Sequence, residues 1–155
     1  MGWFSKLFGA EPEPEQNQQR PEKPWVEELT KIVSLEPAID GELFDIVGES
    51  YYQDALESIA GPKTLDGVDV QRYAFLEPEP DNPYDSHAVA VIIDSKKVGH
   101  LSRDDCEDFH EFLAETGATS ASCTAYINGG WKRPSGEGSY GVKLDIDWPP
   151  CRETD

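Results

Sequence analysis

The 155-residue chain carries 13 basic and 31 acidic residues, a net charge of −18, and so acidic a surface repels phosphate wherever no local basic patch offsets it. Its 37% hydrophobic content suffices for one modest core plus tails. No apolar run reaches transmembrane length and the N-terminus lacks a secretory apolar core, while Cys106, Cys123 and Cys151 are too far apart for a disulfide framework or a paired zinc knuckle, so a soluble cytoplasmic protein is expected.

Residues 1–9, MGWFSKLFG, place Trp3, Phe4, Leu7 and Phe8 at helical spacing around Lys6. This short amphipathic segment suits either a sticky contact with a membrane surface or protein partner, or packing on its own domain. Residues 10–24 are rich in Pro, Glu and Gln, the composition of an extended disordered linker. Residues 25–40 are read as a short helix and connector, because Trp25, Val26, Leu29, Ile32 and Val33 share helical spacing ahead of Pro37.

Residues 41–148 carry the domain, with residues 149–155 as a tail. A first strand is expected within Glu42 to Gly48, then a helix over Tyr51 to Ala60 that ends at Gly61-Pro62. Val68 to Leu76 reads as a strand. Glu79 to His87 is a polar turn stiffened by Pro80 and Pro83, Ala88 to Ile93 is an apolar strand rich in β-branched residues, and Asp94 to Lys97 turn the chain into a return strand, Val98 to Leu101. Ser102 opens a helix whose apolar stripe is Cys106, Phe109, Phe112 and Leu113 and which Gly117 ends. Two strands follow, Ala121 to Ile127 and Val142 to Trp148, joined by a Gly-rich loop that holds Trp131, Lys132 and Arg133. The sum is a mainly β domain with two or three short helices, a small OB-like or SH3-like barrel.

Function belongs at the loop held over the apolar hairpin, where Asn82, Tyr84, Asp85 and His87 meet the mouth of a small barrel. Exposed aromatics at such a mouth, Tyr84 and the Tyr51-Tyr52 pair, suit stacking on nucleic-acid bases; each ring could equally pack on the core. Asp85 suits either a hydrogen bond from a sugar hydroxyl or an Asx turn that orders the loop. Lys96 and Lys97, and Trp131 with Lys132 and Arg133, are the basic clusters available to draw in phosphate.

Asn82-Pro83-Tyr84-Asp85, the strand opening with Ala88-Val89 and the Gly99-His100-Leu101 return together resemble the HIRAN domain. The resemblance runs from about Phe44 to Trp148. It implies a module that binds single-stranded DNA 3′ ends, as in replication-fork processing and repair, with Tyr84 and Tyr51 holding terminal nucleotides and Asp85 accepting a hydrogen bond from the free 3′ hydroxyl. His100 falls within the same signature. The chain departs from the family where Ser50 and Pro78 stand in place of basic residues.

A protein-interaction module using the same groove, or the segment from Met1 to Gly9, is the alternative. No nucleophile elbow, P-loop or HExxH pattern is present, so an enzyme is not expected. Cys106 and His110, four apart on one helix, are weak metal candidates; no cofactor is expected, zinc included.

Overall fold

The computed structural model of the protein describes residues 31–151. The amphipathic segment, the linker and positions 25–30 of the expected helix lie outside the described residues, as do residues 152–155.

Strand β1 (Ile32–Ser34) replaces the last part of the helix expected there. Three residues cannot distinguish helical from alternating patterning, and the tertiary environment decides: Val33 is buried between exposed Ile32 and Ser34, and β1 pairs in parallel with Ser120–Ser122. It thereby covers backbone groups at the start of that strand, whose antiparallel pairing with Tyr140–Asp145 begins only at Thr124.

The other strands are β2 (Phe44–Asp45), β3 (Val70–Pro78), β4 (Val89–Ile93), β5 (Lys96–His100), β6 (Ser120–Gly129), β7 (Lys132–Arg133), β8 (Gly136–Glu137) and β9 (Tyr140–Asp145). Seven strands make one sheet in the order β2-β9-β6-β3-β4-β5, with β1 beside β6. Along β6, Ala121, Cys123, Ala125 and Ile127 point inward and alternate with partly exposed residues, the period-two pattern of a sheet with one covered face. The sheet curls strongly into a half-barrel of OB-like kind. Its ends meet where Val47, just past β2, exchanges backbone hydrogen bonds with His100, the last residue of β5.

Two α-helices complete the described residues. A 3-10 turn (Glu49–Tyr51) leads into α1 (Gln53–Ala60), so the helix expected from Tyr51 starts two residues later. Helix α2 (Arg103–Thr116) buries Cys106, Phe109, Phe112 and Leu113, and Gly117 ends it at φ 71°, a left-handed conformation that glycine adopts without steric cost. Ser102 is the N-cap of α2, and its hydroxyl donates to the Asp105 carboxylate at 2.7 Å in place of a capping bond to the helix backbone. Phe109, Leu56, Leu76, Ile93, Ile127 and Leu144 are among the fully buried side chains of the core.

The β4–β5 hairpin turns on two residues only, Asp94 and Ser95, both left-handed at φ 51° and 65°. That turn matches the twist of its flanking strands. Lys96 and Lys97 therefore belong to β5 and not to the turn.

Candidate nucleic-acid interface

The loop between β3 and β4 is built by its own polar groups. The Glu79 amide donates to the Ala88 carbonyl at 2.8 Å and closes the loop at its base. Inside it, the Asn82 side-chain oxygen accepts the amides of Tyr84 and Asp85 at 2.8 and 3.0 Å, an Asx turn. Asp85 then accepts the His87 amide through Oδ1 at 2.9 Å, and its carbonyl accepts the Ala88 amide at 3.0 Å. With the backbone fixed this way the Tyr84 ring stands 92% exposed.

A second ring faces the same space from the other end of the sheet. Gly48, at φ 86°, turns the chain out of the barrel closure into the 3-10 turn, where Tyr51 is 85% exposed. Together they line a groove of about 720 Å³ whose walls are Val47, Gly48, Tyr51, Tyr52, Asn82, Tyr84, Asp85, Ala88, His100, Leu101, Arg103 and Cys106. The Tyr52 and His100 rings sit 6.2 Å apart, tilted by 50°. The fold thus gathers Tyr51, Tyr52, Asn82, Tyr84, Asp85 and His100 from three separate segments of the chain.

Below the loop lies a charged network. Glu79 accepts His100 Nε2–H at 2.9 Å and the Asn82 amide at 3.0 Å on Oε1, and its other oxygen pairs with Lys97. Burial alone would raise the Glu79 pKa, but hydrogen bonds from Lys97, Asn82 and His100, with the Lys97 charge, hold it at about 2. Lys97 is thus committed to Glu79 instead of standing free in the groove.

The other basic residues singled out in the sequence lie elsewhere. Lys96 begins β5 while His100 ends it, a separation of roughly 13 Å at about 3.3 Å per residue, and Lys96 does not line the groove. Trp131, Lys132 and Arg133 do not line it either. Their short β7–β8 ribbon packs on the α1–β3 connector, where Trp131 bridges Thr64 and Arg133 Nε donates to the Leu65 carbonyl at 2.9 Å. The Arg133 guanidinium lies 4.7 Å from the Trp131 ring centroid.

Among the described residues the lysine or arginine that does reach the groove is Arg103, the first residue of α2. Its side chain is 82% exposed and its Nε lies 3.7 Å from Asp85 Oδ2. In the sequence it is masked by the acids Asp104 and Asp105 that follow it. The usable signal was its place three residues after His100, where the return strand runs directly into a helix.

His87 lines a neighbouring groove with Tyr84, Asp85, Arg103, Glu107 and His110. There His110 Nε2–H donates to the His87 carbonyl at 2.9 Å and pins the loop to α2. Cys106 is buried, its thiol 3.4 Å from the Ser102 carbonyl, and burial pushes its pKa up. Cys106 and His110 are thus each engaged with backbone carbonyls, and among the described residues no three His, Cys, Asp or Glu side chains converge as metal ligands. No helix among them is long and apolar enough to cross a membrane.

Two exposed rings, a carboxylate and a guanidinium around an open cleft form a surface suited to stacking bases and meeting a sugar-phosphate chain. No curated protein and no solved structure matches the chain. The family model described as HIRAN domain matches residues 43–134, a span from β2 to β7 that contains every wall of the groove. By that match, over more than half its length, the chain belongs to the HIRAN family of nucleic-acid-binding modules.

Proposed function

We propose that the protein binds the 3′ ends of single-stranded DNA, as a module of repair or fork processing and not as an enzyme. The observation that carries this reading is the pairing of Tyr51 and Tyr84, both exposed, across one groove that also holds Asp85. Base stacking on a protein ring is worth about 1–3 kcal/mol and tolerates any base, so two rings hold a strand without reading its sequence. Asp85 supplies end selectivity. A carboxylate gains a charge-assisted hydrogen bond from a terminal hydroxyl, whereas a 3′ phosphate or a continuing strand would bring a second negative charge to the same point. Arg103, beside Asp85, offsets the phosphate that precedes the terminal sugar. All three cysteines are free thiols, which suits a reducing cytoplasm.

Fluorescence anisotropy with labelled oligonucleotides ending in a 3′ hydroxyl or a 3′ phosphate tests it. The hydroxyl-ended strand is expected to bind at low salt and the phosphorylated one much more weakly. Absence of binding by either oligonucleotide at low salt rules the reading out.

A protein-interaction role is the second reading, favoured by one further surface. Tyr73, 74% exposed, and Phe75 stand on the outer face of β3 beside Arg72 and Asp94. A peptide held there would bind with little dependence on salt and without competition from oligonucleotide.

A further inference from the structure

We infer that Glu79 is the positioning residue of the groove. Its single carboxylate fixes the Asn82 turn that presents Tyr84 and Asp85, and it holds His100 as the Nε2–H tautomer so that Nδ1 is the ring nitrogen offered to a ligand. The ligand part of this inference rests on the proposed 3′-end reading; the tautomer and the loop order do not.

The geometry leads there in three steps. Glu79 follows directly on β3, and its Oε1 receives two hydrogen bonds, from Asn82 Nδ2 at 3.0 Å and His100 Nε2 at 2.9 Å. A carboxylate ionised down to pH about 2 can only accept, so the imidazole nitrogen facing it must carry the proton. Among the described residues Nδ1 of His100 has no partner, and His100 lines the groove. On the other side, Asn82 spends its amide nitrogen on Glu79 and its oxygen on the amides of Tyr84 and Asp85. The orientation of that side-chain amide, and with it the turn, is set by the carboxylate. Lys97 holds the opposite oxygen of Glu79, so the acceptor cannot swing away. Three points, the loop and the two ends of β5, are tied through one side chain that does not itself line the groove.

The test compares the full-length wild type with Glu79→Ala and Glu79→Gln, whose amide oxygen still accepts from both donors. Long-range proton–nitrogen NMR correlations read the His100 tautomer, amide exchange reads the order of Tyr84 and Asp85, and anisotropy reads the affinity ratio of hydroxyl-ended to phosphate-ended oligothymidine. The wild type is expected to show Nε2–H. Glu79→Ala is expected to lose that preference, speed amide exchange at Tyr84 and Asp85, and weaken hydroxyl-ended binding by about tenfold with a narrowed ratio, while Glu79→Gln retains most of each. A wild type with the proton on Nδ1 overturns the inference. So does a Glu79→Ala protein with unchanged ring signals, exchange and ratio, or an equal loss in both variants. Should Glu79→Ala not fold, the wild-type tautomer and the Glu79→Gln spectrum decide. Should the wild type bind no oligonucleotide, the 3′-end reading fails while the NMR measurements still decide the role of Glu79.

Discussion

Val47 and His100 exchange both backbone hydrogen bonds, the Val47 amide reaching the His100 carbonyl at 2.8 Å and the His100 amide returning to Val47 at 2.9 Å. This pair brings the two ends of the curled sheet together. It also sets the width of the groove, because Tyr51 stands four residues beyond Val47 and the Tyr84 loop is tied to His100 through Glu79.

Gly99 makes that closure sterically allowed. A Cβ there would lie 2.7 Å from Ile46 Cδ1 and 2.8 Å from the Val47 carbonyl oxygen, and backbone oxygen cannot step aside as a flexible side chain would. Gly99→Ala is expected to cost roughly 1–3 kcal/mol, the range for overpacking a dense interior, read as a lower urea midpoint. An unchanged midpoint would show that the ends of the sheet are not held as tightly as this geometry requires.

The aromatic pair predicts a separation of binding from stability. Because their rings stand 92% and 85% exposed, Tyr84→Ala and Tyr51→Ala should each leave the thermal midpoint nearly unchanged while weakening oligonucleotide binding by about 1–3 kcal/mol. Tyr73→Ala, equally a surface tyrosine but outside this groove, should leave binding at the wild-type value. Equal effects at all three positions would point to nonspecific association with exposed rings.

Salt dependence follows from the count of cations at the groove. Among the described residues Arg103 is its one Lys or Arg, and each phosphate neutralised on a single strand contributes about −0.7 to the slope of log affinity against log salt. A shallow slope near that value is expected for the wild type. Arg103→Gln should bring it close to zero. A steep wild-type slope would mean that Lys96, Lys132 or Arg133, remote from the groove, also meet the strand.

The Glu79 carboxylate makes a pH prediction whose sign is fixed by its depressed pKa, about 2 in the folded protein against an ordinary 4.5. A depressed acid stabilises the fold above its unfolded pKa and loses that contribution as pH falls toward the folded value. At 20% exposure the full shift corresponds to on the order of 3 kcal/mol at neutral pH. The stability difference between wild type and Glu79→Gln should therefore be constant above about pH 5 and shrink steadily between pH 4.5 and about 2. A difference that does not change over that window would place Glu79 in solvent.

Much of the site was legible because its information is local. Asn82, Pro83, Tyr84 and Asp85 specify their turn among themselves, and the side-chain bonds of Asn82 and Asp85 carry it out as their chemistry dictates. The β4 strand and the α2 stripe were equally plain, since each states its own period. What the sequence concealed depends on distant partners. The Ile32–Ser34 segment became a strand because the start of β6, beyond its pairing with β9, offers it open backbone groups, and the Trp131–Arg133 ribbon settled on Thr64 and Leu65 instead of the groove. Lys97 was spent on a carboxylate eighteen residues earlier in the chain. Arg103 reached the groove only because the β5-to-α2 junction turns it toward Asp85.

The most direct test of the central claim removes the charge of the acceptor, and then the donor, of the proposed terminal hydrogen bond. Affinities would be measured for wild type and Asp85→Asn, each with an oligonucleotide ending in a 3′ hydroxyl and with its dideoxy-terminated counterpart, which lacks that hydroxyl. The account predicts a coupling energy of about 1 kcal/mol between the carboxylate charge and the hydroxyl, the difference between a charge-assisted and a neutral hydrogen bond, with the dideoxy strand indifferent to the mutation. Additive losses, with no coupling, would mean that Asp85 shapes the loop but does not meet the end of the strand.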